Sequence, residues 1–297
     1  MADLEQVHAG HPERPVVVFI HGLDGHMFDT WVGPGTSADD CWPHWIGQDT
    51  GCDTWVMGYD AQISRWQDQA MSLVDQGVHL VHSLAAHEGT AERELVLVGH
   101  SMGGLLIKKM IVQGMTLDDP TARAVAQRVR GVVFVATPHH GSELASLVQA
   151  LSLVTRPNRQ MEALRKDDGP LLELNQQFRA QRKGLGIAVQ AFAERRDVEL
   201  EIPGWFRWSR KVLQVRVVSD SSSDPGLEGV LAVPVPEDHF SICKPRSRDT
   251  LVHGATRRFI GQLVQEHASK AAGMRAAPSP ASAAASSSRT SSARRSR

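Results

Sequence analysis

The hydrophobic positions fall into two rhythms that alternate along the chain. Residues 16–20 (VVVFI) form an unbroken apolar run between Pro15 and His21-Gly22. A strand without a polar face is one covered on both sides, as in a parallel sheet. Residues 94–98 and 131–136 repeat this pattern, and residues 54–59 give a weaker version. Between them, Ala70, Leu73, Val74, Val78, Val81, Leu84 and Ala85 recur at three and four within 67–87, which places them on one face of a helix. A second helix is predicted over 104–115, with Leu105, Leu106 and Met110 facing inward. Strands over 187–192, 212–218 and 230–235 follow, and a helix over 250–267 closes the pattern. Strands alternating with helices imply βαβ units and a doubly wound, mostly parallel sheet of the α/β class.

The rhythm changes over 141–186. Leu144, Leu147, Val148, Leu151 and Val154 are helically spaced up to Pro157, and a charged piece over 160–183 follows. This stretch reads as a helical cap insertion within a body spanning 15–267. Residues 1–14 form an N-terminal extension, and 268–297 an Ala/Ser/Arg-rich tail that buries too little apolar surface to fold.

Composition narrows the function. The 297 residues carry a net charge of −1, but six of the 32 basic residues lie in the acid-free tail, which leaves 26 against 33 acidic ones in the body. A folded part near −7 argues against nucleic acid as a partner. Residues 1–15 have neither a basic start nor an apolar core, so no secretory leader is expected, and no run is long enough for a membrane span. Three scattered cysteines form no disulfide framework or metal knuckle, which fits a reduced cytoplasmic interior.

The chemistry centres on Gly99-His100-Ser101-Met102-Gly103, which has a predicted strand directly before it and a predicted helix directly after it. A strand that turns sharply into a helix needs glycines on either side of the corner, and it pushes the Ser101 hydroxyl out at the top of the sheet. The helix N-terminus beneath favours developing negative charge. A serine hydroxyl also needs a base. Of fourteen histidines only His239, His253 and His267 follow the late strands, and the latter two fall in the closing helix, where surface positions are expected. His239, in the loop after strand 230–235, is therefore the base. His100 is expected to be packed or hydrogen-bonded. His139-His140 has no partner at ligand spacing, so no metal is expected.

The oxyanion donors are expected to be the backbone N–H groups of Leu23, in His21-Gly22-Leu23 after the first strand, and Met102. The acid is open between Glu194, at the end of strand 187–192, and Asp220, after strand 212–218. Asp197 lies just beyond Glu194, and Asp238 sits beside His239 in a position from which it cannot aim at Nδ1.

VVVFIHGLDGHMFDTW (16–31), CWPHWI (41–46), LVLVGHSMGGLLIKKM (95–110), VVFVATPHHGSELA (132–145), AFAE (191–194) and DHFSICKP (238–245) together resemble the α/β-hydrolase superfamily. Within it, the chain is similar to a lipase-like group around the serine-active-site-containing proteins and the GPI inositol-deacylases. The resemblance implies the α/β-hydrolase fold, with Ser101 as nucleophile, His239 as base, and Leu23 and Met102 as oxyanion donors. It implies Glu194 as the acid, because AFAE resembles a Phe-Tyr-Glu segment of relatives.

The expected activity is carboxylic ester hydrolysis through an acyl-enzyme, with no cofactor. The cap favours lipid or acyl esters. The rival reading is a silent or partner-gated module that acts in signalling or protein interaction, and the oligomeric state is left open. Residues 195–211 depart from the relatives. Trp205, Phe206 and Trp208 among Arg207, Arg210 and Lys211 suit either a peripheral membrane contact or a surface hairpin packed on the body.

Overall fold

A computed structural model describes residues 3–23, 25–37, 39–59, 73–140, 169–203, 210–219 and 222–276. One seven-stranded sheet contains β1 (Asp3–His8), β2 (Val16–Ile20), β3 (Thr54–Gly58), β4 (Leu95–His100), β5 (Val129–Val135), β6 (Ala188–Glu194) and β9 (Val233–Val235). A separate antiparallel hairpin pairs β7 (Val198–Pro203) with β8 (Arg210–Val215). Helices α1 (Trp42–Thr50), α2 (Leu73–Ala86), α3 (Met102–Thr116), α4 (Pro120–Arg128), α5 (Gly169–Leu185) and α6 (Leu251–Ala276) complete the described elements.

The strand order is β1-β3-β2-β4-β5-β6-β9, parallel throughout except for the antiparallel edge strand β1. From β2 the chain moves to β3 on one side and then crosses to β4 on the other. That reversal opens a crevice outside the carboxyl ends of β2 and β4, where α/β sheets bind their ligands.

The β2 run is apolar at every position because helices cover both faces of the sheet. Val16, Val18 and Ile20 pack in one cluster with Leu80, Leu84, Leu106 and Met110, from α2 and α3. Val17 and Phe19 pack in another with Trp31, Trp42, Ile46 and Ile260, which include residues of α1 and α6. Each such side chain contributes about 1.5–3 kcal/mol on burial.

Several expectations shift. Residues 3–8, expected as an extension, form the edge strand β1. The 212–218 stretch joins the central sheet nowhere: its first part pairs as β8 with β7, and Val217 and Val218 are buried beyond it. Helix α6 runs past residue 267 to Ala276. His253 is fully buried, not on the surface, with Nε2 2.8 Å from Asp49 Oδ2. The cap reading falls outside the described residues except for α5, and so do the lip aromatics at 205–208. No described helix is long and apolar enough to cross a membrane.

Candidate active site

Ser101 occupies the corner between β4 and α3 with φ 53° and ψ −123°, a conformation that non-glycine residues avoid at a cost of about 1–3 kcal/mol. Its N–H donates to the Val135 carbonyl at 2.9 Å, which holds the corner against β5. Glycines make the turn possible. A Cβ on Gly99 would lie 2.6 Å from the Gly104 nitrogen, and one on Gly103 would collide with the carbonyl oxygens of Ile20 and His21. A Cβ on Gly22 would lie 2.7 Å from the Ser101 Cβ. The ends of β2 and β4 therefore close onto each other only because these positions lack side chains.

His239, in the loop after β9, places Nε2 3.0 Å from Ser101 Oγ. Its Nδ1 lies 2.6 Å from Glu194 Oε2 at the end of β6. The carboxylate can only accept, so Nδ1 carries the proton and Nε2 presents a lone pair to the serine hydroxyl. Glu194 Oε1 accepts the N–H groups of Val217 at 3.2 Å and Val218 at 3.0 Å. Ser101, His239 and Glu194 are 1%, 1% and 0% exposed. The Arg195 and Arg196 N–H groups both donate to the Glu237 carbonyl at 3.1 Å, which locks the end of β6 to the His239 loop.

Asp197 and Asp238 engage other groups. Asp197 pairs with Arg216, Oδ1 to Nε 2.6 Å. Asp238 Oδ1 accepts the N–H groups of Phe240 at 2.8 Å and Ser241 at 3.0 Å, capping its own turn. Asp220 lies outside the described residues.

Leu23 follows β2 and Met102 opens α3, and both are buried at the β2–β4 crevice. As the first residue of a helix, Met102 has no intrahelical acceptor for its N–H. His100 packs beneath the corner with Nε2 2.9 Å from the His239 carbonyl, and burial holds its pKa well below the ordinary histidine value. A cavity of about 220 Å³, lined by Leu23, Thr30, His100, His239, Phe240 and Lys244, adjoins the site.

His139 is buried, with Nδ1 2.6 Å from the Lys108 Nζ, which also donates to Asn175 Oδ1 at 2.8 Å. Burial lowers the Lys108 pKa well below that of a free lysine. Sequence reading missed this cluster, because a lysine in an amphipathic helix normally faces water. No group of three His, Cys, Asp or Glu side chains that could hold a metal ion occurs among the described residues.

Ser101, His239 and Glu194 thus lie in line at the carboxyl end of a doubly wound sheet. Residues 17–281 match the family model described as "Alpha/beta hydrolase family", and the chain belongs to that family. Among its relatives is Protein SERAC1 of Danio rerio, 29% identical over 276 residues, covering 86% of this chain and 40% of that protein. Protein SERAC1 of Homo sapiens is 29% identical over 278 residues, covering 87% of this chain and 40% of that protein. The chain thus spans about two fifths of the length of these relatives. The solved mature lipase BlEst2 of Bacillus licheniformis shares the fold, with a TM-score of 0.52, 19% identity, and 88% of this chain and 98% of that one covered.

Proposed function

We propose that this protein is a serine hydrolase that cleaves carboxylic esters, with lipid or acyl esters as the substrate class. The observation that carries this is the buried line Ser101–His239–Glu194, at 3.0 and 2.6 Å. Ser101 Oγ attacks the ester carbonyl as its proton passes to His239 Nε2, and Glu194 holds the imidazole in the required tautomer. The Leu23 and Met102 N–H groups receive the developing oxyanion, and one such donor typically contributes about 3 kcal/mol of transition-state stabilisation. His239 then protonates the departing alcohol. Water, deprotonated by the same imidazole, releases the acid from the acyl-enzyme. The near-complete burial of Ser101 and the apolar residues Leu23 and Phe240 in the adjoining cavity support an acyl substrate that reacts away from water. The same burial favours a second reading, a module whose site opens only with a partner.

Fluorophosphonate labelling of the full chain beside Ser101→Ala, followed by p-nitrophenyl esters from acetate to palmitate, separates these readings. Serine-dependent labelling with turnover rising toward long chains supports the lipid esterase. Turnover of short chains alone removes the lipid assignment. Absence of labelling removes the esterase and leaves the gated module.

A further inference from the structure

The peptide that carries the Leu23 N–H is held from behind by a pair of rings that the hydrolytic steps do not touch. Tyr59, the single tyrosine of the sequence, follows β3 beside β2 and is buried. Its hydroxyl donates to the His21 carbonyl at 2.7 Å, and its backbone N–H points to His21 Nε2 at 3.4 Å. The two rings stack with centroids 4.3 Å apart and planes 7° apart. His21 Nδ1 lies 2.9 Å from the Gly22 carbonyl. That carbonyl can only accept, so Nδ1 carries the proton and Nε2 is the acceptor facing Tyr59. Burial pushes the His21 pKa down to about 4, so this tautomer persists through the neutral range.

The Gly22 carbonyl and the Leu23 N–H belong to one planar peptide unit and point in opposite directions. The His21 ring on one hand and the Gly25 N–H, 3.1 Å away, on the other fix that carbonyl. Fixing it sets the direction of the Leu23 N–H. Space is closed as well: a Cβ on Gly25 would lie 3.1 Å from His21 Nδ1.

We propose that Tyr59 is a positioning residue that acts through His21 to aim the Leu23 N–H at the oxyanion. The inference rests on the serine hydrolase reading and adds a residue to it. Tyr59→Phe keeps the stack and removes only the hydroxyl. On p-nitrophenyl butyrate, kcat falls about tenfold while KM stays within twofold, since a misaimed donor weakens the transition state more than the ground state. The pH profile of kcat/KM keeps its shape, because Glu194 and His239 are untouched.

Hydrogen exchange of the peptide covering residues 20–25 in the folded full-length variant, read by mass spectrometry, rises with the loss of kcat. A kcat within twofold of the parent, a KM that rises in step with the loss, or a lower kcat with unchanged exchange overturns the role. If the parent itself shows neither turnover nor Ser101 labelling, the hydrolase reading has failed. The exchange comparison then decides separately whether Tyr59 holds the loop: unchanged exchange overturns it there too.

Discussion

The Nε2–H of His100 donates to the backbone carbonyl of His239 at 2.9 Å, so the residue before Ser101 grips the main chain of the histidine that faces it. Their rings lie 4.9 Å apart. A carbonyl has no proton to give, which places the His100 proton on Nε2. The bond ties the end of β4 to the loop after β9 across 139 positions of sequence. Replacing His100 with Asn shortens the reach and breaks this tie. The expected result is a kcat about tenfold lower with little change in KM, measured on p-nitrophenyl butyrate. An unaltered kcat would show that the loop holds its place without it.

The acid is tested by amides. Glu194→Gln preserves shape but offers His239 Nδ1 a donor or a weaker acceptor, and kcat is expected to fall about 10³-fold or more. Asp197→Asn and Asp220→Asn are expected to stay within about twofold of the parent. A large loss in Asp220→Asn, with Glu194→Gln mild, would move the acid to the other strand end.

Packing at the corner predicts a contrast between two glycines. Gly103→Ala drives a methyl into the Ile20 and His21 carbonyls, which should cost about 2 kcal/mol or more and lower the melting temperature by about 4–8 °C. Gly254, in α6, has open space where a Cβ would go, so Gly254→Ala should raise stability by up to about 1 kcal/mol. Thermal melts followed by circular dichroism decide both, and equal effects would mean the corner has slack.

Acid should unfold this protein through its histidines. Burial lowers the His21 pKa to about 4 and holds His100 and His139 well below 6.5. The unfolded chain takes up these protons near pH 6.5, whereas the folded chain resists them. Between the folded and unfolded values the unfolded state therefore binds more protons, so stability rises with pH and is lost as pH falls. Three such groups give a slope approaching about 4 kcal/mol per pH unit. Urea unfolding at pH 7, 6 and 5 measures it, and a slope near zero would mean that these histidines are charged in the fold.

The parts of this molecule legible in the sequence are those written in local pattern. The β2, β4 and β5 runs are apolar because both sheet faces are covered, and Ser101 is marked by glycines that a tight corner requires. His239 was reachable through chain order. What escaped is set by distant partners. Edge strand β1 has one solvent side and too few apolar residues to stand out. Lys108 reads as a surface lysine until His139 and Asn175 are folded against it. Tyr59 carries no motif, and its value lies in which carbonyl it meets. The 212–218 stretch has strand composition, yet it splits between a hairpin and the amides that hold Glu194.

The site is drawn from the centre and one edge of the sheet. Ser101, Leu23 and Met102 come from β2 and β4, while Glu194 and His239 come from β6 and β9. The contact between Ser101 and His239 spans 138 positions of sequence. Such long-range pairings form late, because the intervening loop must close before any contact rewards it. A chain stopped before β9 would carry Ser101 and lack His239. On the proposed chemistry, turnover would report completed folding: a fragment that is compact and helical by circular dichroism would still be silent.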